Sequence, residues 1–120
     1  MKLPNIFEAD TPPEFYAAGA TIFSEGDQSD CMCMYVVKEG EVELQVHGKL
    51  VEVVAVDGFF GEMALIESNP RTATAVAKSD TTLIPINCRR FEFMVHEVPN
   101  FALYVMKGLS SRLRHVDRAT

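Results

Sequence analysis

Residues 58–75 read Gly-Phe-Phe-Gly-Glu-Met-Ala-Leu-Ile-Glu-Ser-Asn-Pro-Arg-Thr-Ala-Thr-Ala and interrupt the pattern of the sequence around them. Gly58 and Gly61 permit tight backbone geometry or the close approach of a ligand. The run Glu62–Glu67 consists mainly of good helix formers and is long enough for one or two turns. Ser68-Asn69-Pro70 then returns the chain to extended geometry, so a short helix is predicted between two extended segments.

The residues around this predicted helix suit the binding of a phosphate ester. The first N–H groups of a helix, here those of Met63 and Ala64, lack intrahelical partners and carry a partial positive charge. Arg71 could pair its planar guanidinium with two phosphate oxygens, which the point charge of a lysine does less well. Glu62 would repel a phosphate, but its carboxylate could accept a hydrogen bond from a hydroxyl such as a ribose 2′-OH. The pattern indicates a site for a nucleotide with a compact phosphate; the alternative is that Glu62 and Arg71 form an ion pair across a turn.

The sequence between Thr21 and Ile86 is otherwise typical of a β sandwich or barrel. Short apolar or alternating runs are separated by turn signals such as Glu25-Gly26-Asp27 and Lys38-Glu39-Gly40. Residues 41–46 alternate strictly between polar and apolar side chains, which predicts a strand with one face in water. Strands are predicted over residues 21–24, 34–37, 41–46, 50–56, 73–77 and 81–86.

The end of the chain has helical spacing instead. Residues 88–98 carry apolar side chains three to four positions apart, with Asn87 as the predicted cap and Pro99 as the stop. A second helix follows, in which Asn100 is the predicted cap. Its predicted apolar stripe consists of Val105, Leu109, Leu113 and Val116. A strand-rich body followed by helices predicts an α+β fold.

Basic side chains of the second helix lie off that stripe. Arg112, Arg114, His115 and Arg118 are candidates for a lid over the phosphate site, although a solvated basic face is the favoured interpretation. The stripe itself is interpreted either as core packing or as the seat of a partner helix. A homodimer through the C-terminal helix is therefore among the predictions.

Two neighbouring segments resemble a motif of a known family. Residues 61–66 and 69–74, Gly-Glu-Met-Ala-Leu-Ile and Asn-Pro-Arg-Thr-Ala-Thr, together resemble the phosphate-binding cassette of the cyclic-nucleotide-binding domain family. Further similarity lies in residues 18–27, 35–42 and 91–114. The resemblance spans residues 15–115, which is most of the chain.

The resemblance implies one domain over residues 1–120. Its expected architecture is an α+β fold with an antiparallel β roll, a jelly-roll-like double-stranded β-helix, at residues 15–86 and flanking N- and C-terminal helices. The C-terminal helices are expected at residues 88–118. The segment Asp30-Cys31-Met32-Cys33-Met34-Tyr35 is about two residues longer than usual in the family, which predicts a bulge or a longer loop there.

The resemblance also implies roles for individual residues. Arg71 would neutralise the cyclic phosphate, and Glu62 would bind the ribose 2′-hydroxyl. Backbone amides of the preceding segment would line the phosphate, and a neighbouring hydroxyl would lie near the base or the phosphate. The complete set of expected ligand-binding residues is Gly61, Glu62, Met63, Ala64, Arg71 and Thr72.

The function implied is reversible binding of a 3′,5′-cyclic nucleotide, cAMP in preference to cGMP. The expected protein is a stand-alone regulatory sensor, not an enzyme, that signals to a separate effector protein through movement of its C-terminal helix. The alternative is an interaction module with the same fold that does not respond to cyclic nucleotide.

Composition bounds the remaining possibilities. The chain has 120 residues and a net charge of −6, which disfavours direct binding of DNA. Residues 1–67 carry 3 Lys/Arg against 13 Asp/Glu, whereas residues 68–120 carry 8 against 4, so the second half could hold a small anion. Three cysteines and no secretory or membrane-spanning segment indicate a cytoplasmic protein without membrane insertion. The scattered histidines and cysteines predict no metal site, no cofactor and no catalytic triad.

Overall fold

The computed structural model describes residues 12–28, 33–67 and 69–119, with side chains through residue 114. Eight strands and three helices follow one another along these ranges. They are β1 (Glu14–Tyr16), β2 (Thr21–Phe23), β3 (Cys33–Glu39), β4 (Val42–Val46), β5 (Lys49–Val54), β6 (Phe59–Phe60), α1 (Glu62–Glu67), β7 (Thr74–Ala77), β8 (Thr81–Asn87), α2 (Cys88–Glu97) and α3 (Pro99–Ala119).

The strands form two four-stranded antiparallel sheets, in the orders β1-β8-β3-β6 and β2-β7-β4-β5. Met34 of β3 lies opposite Ile86 of β8, and Leu44 of β4 lies opposite Ala75 of β7. The fold is therefore an α+β antiparallel β roll with C-terminal helices, as predicted. The expected N-terminal flanking helix and the lengthened segment at Cys31 and Met32 lie outside the described residues.

Strand β3 contributes side chains to two separate core clusters, although its apolar run is short. Side chains alternate between the two faces of a strand. Met34 and Val36 pack in a cluster with residues of α2 and α3, whereas Tyr35 and Val37 face the cluster between the sheets. Because both faces are covered, the run is apolar rather than alternating, in contrast to β4.

The predicted strands are present, with bounds shifted by a few residues, and the structure adds β1 and β6. Strand β1 pairs with β8 through residues 14–16 but leaves Phe15 75% exposed, so neither its length nor its pattern marked it in the sequence. Strand β6 consists of Phe59 and Phe60, which pair with β3 and are buried. The predicted short helix is α1.

Helix α2 begins as predicted, because the side chain of Asn87 accepts a 2.8 Å hydrogen bond from the backbone N–H of Arg90. The predicted cap at Asn100 is wrong. Helix α3 begins at Pro99, a residue suited to the first helical position because its nitrogen needs no partner there. Asn100 therefore lies inside the first turn.

The predicted apolar stripe of α3 is correct at one end only. Val105 is buried with Phe101 and Tyr104 in the core cluster that also contains Met34 and Val36 of β3. Leu109 packs against this cluster. Leu113 is 64% exposed, because that cluster does not extend to its turn of the helix. The side chain of Val116 lies outside the described ones.

Candidate functional site

A cavity of about 280 Å³ lies where α1, the β4–β5 hairpin and α3 meet. The six residues that the sequence predicted to bind a ligand all contribute to its wall: Gly61, Glu62, Met63, Ala64, Arg71 and Thr72. Arg71 and Glu62 are buried, whereas Met63 and Thr72 are exposed at the edge. The structure thus brings the predicted residues together, while their contacts with a ligand stay a prediction.

Arg71 is a fixed cation in this wall. It is 7% exposed, and its Nη1 and Nη2 donate hydrogen bonds to the carbonyl oxygens of Gly61 and Cys33 at 2.9 and 2.7 Å. The guanidinium carbon lies 4.0 Å from the ring centroid of Phe23, a cation–π arrangement. Burial lowers the pKa of Arg71, while the charges of groups that include Asp27 oppose that shift. Because an arginine starts from a very high pKa, the side chain stays positively charged at neutral pH.

Gly61 makes the close approach of that arginine possible. Its φ is +81°, a left-handed conformation that favours glycine. A Cβ atom at this position would lie 2.7 Å from Nη1 of Arg71. The residue therefore has two reasons to be glycine, its backbone angle and the space that the guanidinium occupies.

Glu62 is the first residue of α1 and is 5% exposed. Its carboxylate forms an ion pair with Nη1 of Arg112 from α3. The alternative interpretation of the sequence was an ion pair between Glu62 and Arg71; in the described part of the chain the ion pair of Glu62 is with Arg112 instead. A buried carboxylate needs such a partner, because an unpaired buried charge is strongly destabilising.

Arg112 corrects a second expectation. The favoured interpretation was a solvated face, but its side chain is 25% exposed and lines the cavity. Besides Glu62, its Nε donates to both carboxylate oxygens of Glu52 at 3.1 Å, and its Nη2 donates to the carbonyl of Phe59. Arg114 does fit the solvated interpretation, since it is exposed and donates a hydrogen bond to Ser110 of α3 itself. The side chains of His115 and Arg118 lie outside the described ones.

Sequence reasoning missed the rest of the wall. Leu44 and Val46 of β4 and Val51 of β5 supply an apolar side opposite the charged groups. The strict alternation of residues 41–46 placed Leu44 and Val46 on the inward face, but an inward face that lines a cavity has the same pattern as one that packs in the core. The sequence feature that could have indicated the position of Arg112 is Gly108, one helical turn earlier. The absence of a side chain at Gly108 lets α3 approach Phe59 of β6 closely.

Within the described residues, no group of three or more His, Cys, Asp or Glu side chains is placed to hold a metal ion. Of the helices in the described ranges, none is long and apolar enough to cross a lipid bilayer. The cavity wall itself contains the buried cation of Arg71, the buried carboxylate of Glu62 and an apolar side.

Comparison with known families gives one match that covers most of the chain. The sequence model described as "Cyclic nucleotide-binding domain" matches residues 13–97. This range includes all six predicted site residues but ends before α3.

Solved structures share the fold. The Thermus thermophilus catabolite activator protein superposes with a TM-score of 0.82 at 26% identity, over 96% of this chain and 55% of that one. The chain therefore spans about half the length of that protein. The EAL enzyme Bd1971 in its cAMP-bound form gives a TM-score of 0.63 at 28% identity, over 88% of this chain and 29% of that one. A structure from a cyclic-GMP-dependent signalling pathway of bacterial phytopathogenesis gives 0.76 at 24% identity, over 90% and 89%, and shows the fold alone.

Proposed function

Because this chain belongs to the cyclic nucleotide-binding domain family, we propose that it binds a 3′,5′-cyclic nucleotide reversibly in the cavity beside Arg71 and Glu62. The observation that carries the proposal is the buried guanidinium of Arg71 in the cavity wall. Among the residues that the structure describes, no carboxylate forms an ion pair with Arg71, which suits a ligand that brings a single negative charge. A cyclic phosphodiester carries one such charge on two free oxygens.

The proposed mode uses the groups as follows. The carbonyls of Gly61 and Cys33 take two of the five N–H donors of Arg71, which leaves donors for the phosphate. The ribose 2′-hydroxyl donates to the carboxylate of Glu62, and the first backbone N–H groups of α1 assist at the phosphate. The base lies against the apolar wall of Leu44, Val46 and Val51.

That wall is the physical reason to propose cAMP over cGMP. Guanine has more hydrogen-bonding groups on its edge than adenine, and each loses free energy when it is buried without a partner. Glu52 also lines the cavity, but its carboxylate already accepts hydrogen bonds from Arg112, so it is not a free partner for the edge of guanine. The cAMP-bound EAL enzyme is consistent with this choice, although its ligand is a property of that protein.

We further propose a regulatory role rather than a catalytic one, in which α3 carries the signal to a separate effector protein. The side chain of Arg112 connects α3 to the cavity wall, so a ligand that changes the contacts of Arg112 would also change how α3 is held. A stand-alone sensor role and a cytoplasmic location remain parts of this proposal. Direct DNA binding is not proposed, because the net charge of −6 opposes it.

Isothermal titration with cAMP, cGMP and 5′-AMP tests the proposal. We expect saturable 1:1 binding of cAMP, weaker binding of cGMP, and little binding of the dianionic, open 5′-AMP. Absence of binding for both cyclic nucleotides to the folded protein would refute the function.

The second candidate is an interaction module that does not respond to cyclic nucleotide. It is favoured by a row of exposed apolar side chains on α3, namely Leu103, Met106 and Leu113. This row could pack against a second copy of the chain or another protein. The same titration separates the candidates, and light scattering before and after ligand addition reports whether the row forms a homodimer.

A further inference from the structure

Helix α3 is attached to the β roll next to the cavity by a row of three residues one turn apart. Tyr104, Gly108 and Arg112 are spaced i, i+4 and i+8, so they lie on one face of the helix. Tyr104 donates a 2.6 Å hydrogen bond to the carbonyl of Asp57. Gly108 packs so closely that a Cβ atom there would lie 2.3 Å from Cε1 of Phe59. Arg112 is the member of the row that reaches the cavity.

The guanidinium of Arg112 joins three parts of the body at once. It bonds Glu52 of β5, Glu62 of α1 and the carbonyl of Phe59 in β6, and it lies 4.9 Å from the ring centroid of Phe59. The position of α3 is thereby tied to the carboxylate that the proposed function assigns to the ribose hydroxyl.

We infer that Arg112 and the 2′-hydroxyl of the ligand compete for Glu62, so that occupancy of the site changes the contacts by which Arg112 attaches α3. This inference rests on the proposed function, from which it takes the role of Glu62. The cavity of about 280 Å³ is slightly smaller than typical ligand pockets, which are roughly 300–1,000 Å³, so a ligand has reason to displace a side chain of the wall.

Glu52 gives the displaced guanidinium a place to go. Its side chain is 35% exposed, compared with 7% for Glu62, so water already solvates it in part. Arg112 can keep its ion pair with Glu52 while it releases Glu62. The released Glu62 then has the ligand hydroxyl as its donor, so neither carboxylate is left without a partner.

A thermodynamic cycle between Arg112 and the ligand hydroxyl tests the competition directly. The ligands are cAMP and 2′-deoxy-cAMP, which carry the same charge, so the charge lost in a protein variant affects both alike. For each protein the measured quantity is the affinity for cAMP divided by that for 2′-deoxy-cAMP. In the wild-type protein, the free-energy difference that this ratio expresses is the gain from the hydrogen bond of the hydroxyl minus the cost of displacing Arg112 from Glu62.

The variants are Arg112→Gln and Arg112→Lys, with Arg114→Gln as the matched control. Arg114 is on the same helix, but its bond is to Ser110 of that helix. We expect the ratio to rise at least about fivefold in Arg112→Gln, the lower end of coupling between linked sites, and to stay unchanged in Arg114→Gln. Arg112→Lys keeps the positive charge, so it serves as the second variant if Arg112→Gln does not fold. Its ratio should lie between those of wild type and Arg112→Gln.

The outcomes separate this inference from the proposed function. If the wild-type protein binds neither ligand, the function and the inference both fail. If it binds cAMP through a site that requires Arg71 but the ratio is unchanged or falls in Arg112→Gln and Arg112→Lys, the function stands and the competition is overturned. A fall would mean that Arg112 positions Glu62 for the hydroxyl instead of competing with it.

Discussion

Nη1 of Arg71 donates a 2.9 Å hydrogen bond to the carbonyl oxygen of Gly61, ten residues earlier in the chain. The two ends of the segment that contains α1 are therefore joined by the side chain that we assign to the phosphate. A site held in this way before the ligand arrives has less conformational entropy to lose on binding. The same bond means that changes at either residue affect both the ligand and the local backbone.

Replacement of Arg71 by alanine should lower the affinity for cAMP at least tenfold, as expected when a charge-assisted hydrogen bond of roughly 1.5–3 kcal/mol is lost. The variant should also unfold more easily, because the carbonyls of Gly61 and Cys33 lose a donor. Calorimetric titration and thermal unfolding measure the two effects. Arg71→Lys keeps the charge without the fork and should fall between wild type and alanine.

The control for charge is Arg89→Ala, because Arg89 is exposed on α2 and is not part of the cavity wall. It should leave the affinity within error of wild type. Unchanged affinity in a folded Arg71→Ala protein would show that the phosphate binds elsewhere.

Replacement of Glu62 by glutamine should reduce the affinity for cAMP less than Arg71→Ala does. The amide oxygen still accepts one hydrogen bond from the ribose hydroxyl, and the phosphate contacts are untouched. Titration with cAMP and with 2′-deoxy-cAMP checks this, since the preference for the hydroxyl should shrink. A larger loss than that of Arg71→Ala would contradict the ribose role of Glu62.

A methyl group at Gly61 should displace the guanidinium of Arg71 and lower both stability and cAMP affinity. The residue has a φ of +81°, and the added Cβ would lie 2.7 Å from Nη1. Gly19→Ala is the matched control, because its φ of +89° imposes the same backbone strain while nothing lies within 4 Å of the added atom. Both variants should lose stability, of the order of 1 kcal/mol from the backbone, but only Gly61→Ala should lose affinity by more than a few-fold. If Gly61→Ala and Gly19→Ala bound cAMP with equal affinity, the position of the Arg71 guanidinium would not control binding.

Local chemistry in the sequence was sufficient for the parts of the structure that depend on near neighbours. The cap at Asn87, the helix α1 and the grouping of Arg71 with Glu62 around one cavity all involve residues close in sequence or a recognised motif. Strand β1 escaped detection because three residues show no periodicity that could be recognised.

The environment of Arg112 could not be predicted, for a different reason. Its partners Glu52 and Glu62 lie 60 and 50 residues away in the sequence, so the contact depends on how α3 is rotated against the body. Periodicity placed Leu113 inside and Arg112 outside. The rotation is instead set by the absence of a side chain at Gly108, which brings its face of the helix against Phe59.

Replacement of Tyr104 by phenylalanine should change how stability depends on alkaline pH. Burial, followed by the charge of Asp57, raises the pKa of Tyr104 above the ordinary value of about 10, while Arg112 opposes the rise. A raised pKa in the folded state means that the stabilisation is complete below about pH 10 and is lost as the pH increases above it. Wild-type stability should therefore fall in that range.

Tyr104→Phe should cost about 0.5–1.5 kcal/mol at neutral pH, because the hydrogen bond to Asp57 is lost, and should flatten the alkaline fall. Tyr16, whose pKa burial also raises, should keep part of the slope. Urea unfolding at a series of pH values measures both effects. An unchanged slope in Tyr104→Phe would show that another group controls alkaline unfolding.

Replacement of Gly108 by alanine should destabilise the protein, the opposite of the usual effect in a helix. At an exposed helical position this change stabilises by up to about 1 kcal/mol. Here the new methyl group would lie 2.3 Å from the ring of Phe59, and overpacking of this kind costs roughly 1–3 kcal/mol. Because the collision pushes α3 away from β6, amide hydrogen exchange should increase between Tyr104 and Arg112. Ser110→Ala, on the exposed side of the same helix, should keep exchange in that stretch at the wild-type rate. A Gly108→Ala protein that melts higher than wild type, with unchanged exchange in α3, would show that the helix is not held against Phe59 in solution.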